Sequence, residues 1–311
     1  MRLPHYPIDH EQVKHVEIGL VGVPWDGGTT NKPGARLGPR SAREASTSIR
    51  NRNRASGINP FLLCNCADLG DAPVNPLDIM SCLGDLTDYY SELQARGIVP
   101  LTIGGDHLLS LPVLRALAQK HGPLGMIHFD AHSDMWNSYF GGSRFSHGTG
   151  FRRAIEEGLV DPYRVVQIGL RGALYEDAPD VWGQEQGVTV IDMDLFRTMG
   201  IPAVLDKIFD VVQSDRSSEP RGVYVTFDVD VLDPSFAPGT GTPEIGGMST
   251  FEAQHLIRGL RHLNVPILGG DVVELAPAYD PTSNSSLAAV GFMYEILCVL
   301  ADNISRFRER K

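Results

Sequence analysis

Three segments of the sequence each end in acidic or histidine side chains, which are common metal ligands. In one of them an apolar run from Met126 leads into Asp130, His132 and Asp134 at alternate positions. Alternate positions of a strand share one face, so these side chains would converge. Two carboxylates and an imidazole need a cation to offset their repulsion, and this mixture suits Mn²⁺, Zn²⁺, Fe²⁺, Ni²⁺ or Co²⁺. The segment predicts a metal site; the alternative is a solvated acidic loop.

A second apolar segment, Gly222–Phe227, leads into Asp228 and Asp230, which would again share a face. Asp233 follows, but it precedes Pro234 and is better explained by turn chemistry. A D-x-D pair alone is a weak signal. It could also be a helix cap or turn, or the metal-binding pair of a glycosyltransferase, although nothing else in the sequence indicates a sugar-nucleotide pocket.

A third segment, Val99–Ile103, runs into the motif GGDH at 104–107. The two glycines permit a close backbone approach, but the phosphate-loop pattern is absent. His107 taken alone could be a capping or core histidine. Together the three segments offer more ligands than one tetrahedral ion needs, and they suit two ions that share carboxylates. The six candidate ligands are His107, Asp130, His132, Asp134, Asp228 and Asp230.

The elements that would position these residues alternate in type along the chain. Short, nearly continuous apolar runs predict strands buried on both faces at Val16–Gly22, Phe61–Cys66, Ile98–Ile103, Leu124–Phe129, Arg164–Gly169, Val188–Ile191, Gly222–Phe227 and Val265–Gly269. Helical spacing lies between them. The alternation predicts an α/β fold with a parallel sheet, and, because no linker or repeat divides the chain, a single domain over residues 1–311. Ligand sites of such sheets lie beyond the carboxyl ends of the strands.

Composition narrows the classes of partner. The 311 residues include 27 Lys and Arg against 38 Asp and Glu, a net charge of −11, which disfavours nucleic acid and favours cationic ligands. An apolar run of about 18 residues is absent, so we expect no membrane partner. The first 15 residues lack the apolar region of a secretory signal, and we expect a cytoplasmic protein.

The motifs GGDH at 104–107, DAHSD at 130–134, SHGT at 146–149 and FDVDVLDPSFAPGTGTPEIGG at 227–247 resemble those of the ureohydrolases, a family that includes arginase and agmatinase. The similarity runs in order along nearly the whole chain. It implies a three-layer α/β/α sandwich with an eight-stranded parallel sheet, a binuclear manganese centre, and a homotrimer or homohexamer. Whether a related subunit is a further partner is left open by the sequence. Manganese is the expected metal, and nickel is the alternative.

The same resemblance assigns roles to residues of this sequence. One ion would be held by His107, Asp130, Asp134 and Asp228, and the other by Asp130, His132, Asp228 and Asp230. Asp134 would also accept a hydrogen bond from the hydroxide that attacks the substrate. The charges of two divalent ions, four carboxylates and one hydroxide sum to a small net negative charge. A centre with this charge would not repel a small cationic guanidino substrate.

Two further residues match family positions outside the ligand set. Glu274, in the stretch GDVVELAP, matches the residue that grips the guanidinium, and a carboxylate suits that planar donor. His147, in SHGT, matches the proton shuttle that would protonate the departing amine. The alternatives are that Glu274 is a surface residue in a loop, against which its apolar neighbours Val273 and Leu275 argue, and that His147 is an ordinary loop histidine. The implied products are urea and an amine.

The substrate is less constrained than the reaction. The stretches at 22–40, 67–76 and 147–159 resemble agmatinases, guanidinopropionase and guanidinobutyrase more than arginase, and guanidinopropionase most of all. Trp136, however, stands where arginase and the guanidino-acid enzymes have an Asn that in arginase holds the substrate carboxylate. An indole offers an apolar wall and a cation–π surface instead, which leaves room for agmatine or for an alkylated biguanide such as metformin, hydrolysed with nickel. Alternatively, Trp136 only packs against Tyr139 and Phe140. An acid-binding contact could then come from the same loop, from Asn137, Ser143 or Arg144.

Two other functions remain open from the sequence. Histone deacetylases resemble this fold and use a single zinc ion, but His107 and Asp230 indicate a second ion. The other alternative is a non-catalytic subunit of a mixed oligomer. Such a subunit should have lost ligands, whereas all six stand in this sequence together with His147 and Glu274.

Overall fold

The computed structural model describes residues 3–175, 178–214 and 221–310. Eight strands form one sheet, in the order β2-β1-β3-β8-β7-β4-β5-β6, and all neighbouring pairs are parallel. The strands are β1 (Ile18–Val23), β2 (Cys66–Asp71), β3 (Val99–Gly104), β4 (Leu124–Phe129), β5 (Val160–Ile168), β6 (Thr189–Ile191), β7 (Val223–Asp228) and β8 (Ile267–Val273).

Helices cover both faces of the sheet. They are α1 (Gly38–Ala45), α2 (Pro60–Leu63), α3 (Ile79–Ala95), α4 (Ser110–His121), α5 (Gly150–Glu156), α6 (Ala178–Gln186), α7 (Met193–Val212), α8 (Thr250–Gly259) and α9 (Asn284–Glu309). One apolar core includes buried side chains of α1, α7, α8 and α9, and a second includes those of α3, α4 and α5. The predicted three-layer α/β/α sandwich with an eight-stranded parallel sheet is confirmed.

The strand predicted at Phe61–Cys66 is wrong. Residues 60–63 form the short helix α2, because Pro60 occupies its first turn and the Asn59 side chain caps it by accepting a hydrogen bond from the Phe61 N–H at 3.2 Å. The strand β2 begins only at Cys66. A short apolar run fits a buried strand and a buried helical turn equally well, so its capping residues had to decide between them.

Helix α9 is long and apolar enough to cross a membrane by length and composition. In this fold, however, 72% of its most apolar window is buried inside the molecule. Val290, Leu297 and Leu300 belong to the core beside the sheet. These contacts are those of a central core helix.

Strand register places a row of polar residues across the middle of the sheet. Thr226 of β7 pairs with Asp271 of β8 on one side and with His128 of β4 on the other. Asp271 pairs with Thr102 of β3, and His128 pairs with Gln167 of β5. All five side chains are buried. This polar row lies just before the ends of the strands that carry the candidate ligands.

Candidate metal centre

The six predicted ligands come from the ends of three strands in the middle of the sheet. His107 begins a 3-10 turn after β3, and Asp106 caps that turn by accepting a hydrogen bond from the Leu108 N–H. Asp130, His132 and Asp134 follow β4, whereas Asp228 ends β7 and Asp230 lies in the next turn. Parallel neighbours end at one edge of the sheet, so the fold brings all six together. Of these side chains only that of His132 is substantially exposed, at 33%.

One part of the cluster surrounds the His107 ring. Its Nδ1 lies 2.9 Å from Asp130 Oδ2, 3.1 Å from Asp134 Oδ2 and 3.2 Å from Asp228 Oδ2. Three carboxylate oxygens from two strand ends thus face one imidazole nitrogen. This atom makes no hydrogen bond within the part of the chain that the structure describes.

The other part of the cluster surrounds His132. Its Nδ1 lies 3.1 Å from Asp230 Oδ2 and 3.4 Å from Asp130 Oδ1. Asp130 therefore offers one oxygen to each part. In each of two groups, one containing His107, Asp130 and Asp134 and the other containing Asp130, His132 and Asp230, the possible ligand atoms all lie within 4.8 Å of one another.

The charges in the cluster fit a bound cation. Burial, with the Asp230 and Asp130 carboxylates nearby, raises the pKa of Asp228 well above its usual range. A carboxylate in such surroundings takes up a proton unless a cation is present to offset its charge. Nδ1 of His107 and the carboxylate oxygens that face it are ligands that bind divalent transition metals. The residues present therefore fit a metal-binding site.

The backbone is left-handed at two of the predicted site residues. Asp134 has φ 54° and Glu274 has φ 62°. Such a conformation in a residue other than glycine costs about 1–3 kcal/mol and persists only where the surrounding structure enforces it. At Glu274 the backbone N–H donates to the Gly105 carbonyl at 2.9 Å. The strain is located where side chains must turn back toward the cluster.

Glu274 joins the cluster to His147. Its Oε1 accepts hydrogen bonds from the His107 backbone N–H and from His147 Nδ1, each at 2.9 Å. Its Oε2 is buried and has no hydrogen-bond partner among the described residues. A buried carboxylate oxygen without a donor is costly, so Oε2 could accept one further hydrogen bond, although His147 and not Glu274 is among the described residues that line the adjoining cavity.

His147 stands between Glu274 and Thr30. Its Nε2 lies 2.7 Å from the Thr30 hydroxyl and accepts a hydrogen bond from the Thr30 backbone N–H at 3.2 Å. Burial lowers the pKa of His147, but the charge and hydrogen bond of Glu274, helped by Asp134 and Asp106, outweigh it and raise the pKa to about 9. The imidazole can therefore hold a proton at neutral pH and exchange it at Nε2.

A cavity of about 430 Å³ reaches the cluster, and its wall includes His132, Asp134, His147 and Asp228. Trp136 and Tyr139 also line it, with ring centroids 5.7 Å apart. Trp136 therefore packs against Tyr139 and also forms part of the cavity wall. Phe140 points to solvent.

The sequence of this chain is similar to those of known proteins. The Arginase family profile matches residues 16–299. The chain belongs to the arginase family. It is 49% identical to guanidinopropionase of Pseudomonas aeruginosa, over 98% of this chain and 92% of that protein. Guanidinobutyrase of the same organism is 41% identical, over 98% and 93%.

A solved structure agrees with this assignment. Proclavaminate amidino hydrolase from Streptomyces clavuligerus superposes with a TM-score of 0.89 at 38% identity, covering 97% of this chain and 96% of that one. The resemblance to the ureohydrolases is confirmed. So is the prediction of a hydrolase that acts on C–N bonds of linear amidines.

One predicted substrate contact of this arginase-family chain lies away from the cavity. Asn137 is exposed and is absent from the cavity wall among the described residues. Its Oδ1 accepts a hydrogen bond from the buried Arg153 guanidinium at 3.3 Å, and Arg153 also binds the Asn137 carbonyl. Asn137 thus holds the loop after β4 rather than facing the cavity, and this position gives its predicted role in substrate binding no support.

Sequence reasoning missed His128, which directly contacts the cluster. Gln167 donates a hydrogen bond to His128 Nδ1 at 2.9 Å, which leaves the His128 proton on Nε2, where it faces Asp130 Oδ2 at 2.7 Å. His128 therefore holds the carboxylate that both parts of the cluster share. One signal was present in the sequence, since His128 is two residues before Asp130 in an otherwise apolar strand and must share its face.

Proposed function

We propose that this protein hydrolyses a short linear guanidino acid of the 3-guanidinopropionate type to urea and an amine, with two divalent metal ions bound. The reaction is proposed from the geometry around Glu274. The type of substrate is proposed from the 49% identity to guanidinopropionase over nearly the full chain.

The observation that carries the reaction is the free oxygen of Glu274 beside the metal-ligand cluster. A guanidinium keeps its charge at all ordinary pH values and presents N–H donors in a fixed plane. Glu274 Oε2 is buried and has no donor in the described ranges of the chain, and its other oxygen is fixed by the His107 N–H. A guanidinium that donates to Oε2 would have its carbon held next to the cluster. Glu274 would thus both bind the substrate and orient it.

The residues that would hold the metal ions are the six of the cluster. His107 and Asp134 would serve one ion, His132 and Asp230 the other, and Asp130 and Asp228 both. When bound, two such ions lower the pKa of a water molecule toward neutrality and so supply a nucleophile for the guanidinium carbon. We propose Mn²⁺ as the natural metal and Ni²⁺ as the alternative.

His147 would supply the proton that the leaving amine needs. When the C–N bond to the amine breaks, the electron pair stays on nitrogen, which must gain a proton to leave as a neutral amine. Glu274 holds one ring nitrogen of His147, and the other nitrogen stands beside the Thr30 hydroxyl. Since His147 lines the cavity and Glu274 holds Nδ1, Nε2 is the atom that would donate, once it is protonated and has released the Thr30 backbone N–H.

A second type of substrate, with a cationic tail, is supported by the charge of the cavity wall. Asp180, Asp192 and Asp194 line it. Arg171 is the one guanidinium among the described wall residues. Its donors are already used by the protein and are not free to bind a substrate carboxylate. They bind the backbone carbonyls of Gly169, Asp230, Leu232, Glu244 and Ile245. Agmatine, or an alkylated biguanide with nickel bound, is therefore the second candidate.

Urea release separates the two. Purified protein, loaded separately with Mn²⁺ and Ni²⁺, is supplied with 3-guanidinopropionate, 4-guanidinobutyrate, arginine, agmatine, guanidine and metformin. The first proposal requires the highest kcat/KM for a guanidino acid. A preference for agmatine or metformin would establish the second, and absence of urea from all six would contradict both.

We also propose that the protein assembles as a homotrimer or homohexamer in the cytoplasm, as the family resemblance and the sequence suggest. Sedimentation velocity of the purified chain tests the assembly. Two metal ions per chain would exclude the single-zinc deacetylase alternative, and activity of the chain on its own would exclude the non-catalytic one.

A further inference from the structure

Behind the candidate metal centre, a buried carboxylate collects three hydroxyl donors. Asp271 of β8 is fully buried. Its Oδ2 accepts hydrogen bonds from Ser110 Oγ at 2.6 Å and Tyr224 Oη at 2.7 Å, and its Oδ1 accepts one from Thr226 Oγ1 at 2.6 Å. None of these residues belongs to the proposed ligands. A carboxylate so far inside the sheet is expensive unless its oxygens are satisfied, and here each oxygen has a donor.

The Thr226 hydroxyl links this carboxylate to His107. A hydroxyl has one hydrogen and accepts with its lone pairs. Because Thr226 donates its hydrogen to Asp271, its oxygen must accept from His107 Nε2, which lies 2.8 Å away. His107 therefore donates an Nε2 proton to Thr226, and Nδ1 is the ring atom left to face the three aspartates and a bound metal ion.

We infer that Asp271, acting through the Thr226 hydroxyl, is a positioning residue that fixes the tautomer of His107 required for metal binding. The inference rests on the metal centre of the proposed function. A histidine binds a metal ion only through an unprotonated nitrogen, and the partner of its other nitrogen sets which one that is. In this protein that partner is a hydroxyl whose own direction is set by a carboxylate.

The opposite tautomer is disfavoured by the same contacts. With the proton on Nδ1, the Thr226 hydrogen would have to turn toward Nε2. The Thr226 oxygen would then face Asp271 Oδ1 across 2.6 Å with no proton between them. Strand register enforces the contact, since Thr226 and Asp271 are direct neighbours across β7 and β8. The chain of hydrogen bonds from Asp271 through Thr226 to His107, called the relay below, is thus fixed by the pairing of the two strands.

Asparagine is as large as aspartate, but replacing Asp271 by it should reverse the donor and acceptor directions along the relay. Ser110 and Tyr224 both donate to Oδ2, so the amide oxygen of an asparagine would occupy that side. The NH₂ group would then face Thr226 and donate to it. Thr226 would in turn donate to His107 Nε2, and the proton of His107 would move to Nδ1, where it opposes a metal ion.

The test measures metal binding rather than turnover. Metal-free protein is titrated with Mn²⁺ by calorimetry, and bound Mn²⁺ is counted by elemental analysis after dialysis at fixed free Mn²⁺. For Asp271→Asn we expect a loss in affinity of about 10- to 100-fold, the range found when partners of metal-binding histidines are changed. Thr226→Val, which removes the relay without reversing it, should lose no more, and Thr226→Ser should bind like the wild type.

Tyr224→Phe provides the matched control. It removes a different hydroxyl from the same carboxylate but leaves the link from Asp271 to His107 intact. Its affinity for Mn²⁺ should stay within about threefold of wild type even if its thermal stability falls. Melting curves of the metal-free variants check that each one folds. The double variant Asp271→Asn with Thr226→Val should bind no worse than Asp271→Asn alone, because Asp271 acts only through Thr226.

The outcomes distinguish this inference from the proposed function. If the wild type binds no Mn²⁺, the metal centre itself is wrong. If the wild type binds two ions and Asp271→Asn binds them equally well, the relay is wrong and the centre stands. If Tyr224→Phe loses as much affinity as Asp271→Asn, the carboxylate only supports the fold and the inference is overturned.

Discussion

Replacing Glu274 by glutamine separates substrate binding from metal binding. The amide oxygen of glutamine can still accept the hydrogen bond from the His107 N–H, now 2.9 Å from Glu274 Oε1. Glu274 is also outside the proposed ligand set. We therefore expect Glu274→Gln to bind the same number of metal ions as the wild type.

Catalysis by the same variant should fall sharply. The change removes the negative charge that would hold the guanidinium, and a hydrogen bond to a charged group is worth about 1.5–3 kcal/mol. That range corresponds to a loss in kcat/KM of about 10- to 150-fold. The loss should be in kcat/KM for every guanidino substrate, because the contact is to the common group and not to the tail.

The pH profile supplies a second signature. Glu274 raises the pKa of His147, which stands at about 9, and glutamine carries no charge to do so. The protonated form of His147 is needed to donate to the amine, so activity is lost as pH rises through this pKa. In Glu274→Gln the loss should begin at lower pH than in the wild type.

Urea release measured across pH, with metal content determined on the same samples, is the assay. Glu157→Gln is the control, since Glu157 forms a partly exposed ion pair with Arg115. It precedes β5 and so lies near the amino-terminal ends of the strands, whereas the metal centre lies at their carboxyl ends. An exposed pair of this kind is worth no more than about 1 kcal/mol, so this variant should keep its activity. If Glu274→Gln keeps kcat/KM within about twofold of wild type at equal metal content, the reasoning about Glu274 is refuted.

Three further predictions follow from particular contacts. His128→Phe should lower affinity for Mn²⁺ by about 10- to 100-fold, because Asp130 Oδ2 loses its donor at 2.7 Å. Calorimetric titration measures this affinity, and an unchanged value would refute the role given to His128. Asp130→Asn and Asp228→Asn should each abolish urea release and reduce the metal count, as elemental analysis would detect, and full activity in both would contradict the ligand set. Phe292→Ala should lower the free energy of unfolding by about 3–5 kcal/mol, since the buried ring of Phe292 stacks on Phe227 with centroids 4.5 Å apart; urea denaturation gives the value, and a loss below 1 kcal/mol would refute it.

The candidate ligands could be predicted from the sequence because each ends an apolar strand or follows one within a few residues. Asp130, His132 and Asp134 lie within five residues, and their alternation indicates one face before any fold is known. The same reasoning gave the α/β class and most of the strands. It failed at Phe61–Cys66, where the apolar run is too short to distinguish a strand from a helical turn and Asn59 caps a turn.

The residues that support the ligands could not be predicted in the same way. Asp271 and Thr226 are 45 residues apart in the chain, and only the pairing of β7 with β8 shows that they touch. Each looks like an isolated polar residue in an apolar strand. Asn137 is offered by the sequence as an alternative substrate contact, but its side chain binds Arg153 of α5, a contact that depends on tertiary packing.

The most direct test of the account is a combined count of metal and urea. Protein loaded with Mn²⁺ is analysed for metal per chain, and the same sample is supplied with 3-guanidinopropionate while urea and the amine are quantified together by NMR. The account predicts two ions per chain and urea and amine in equal amounts. One ion per chain, or two ions without urea from any guanidino compound, would contradict it.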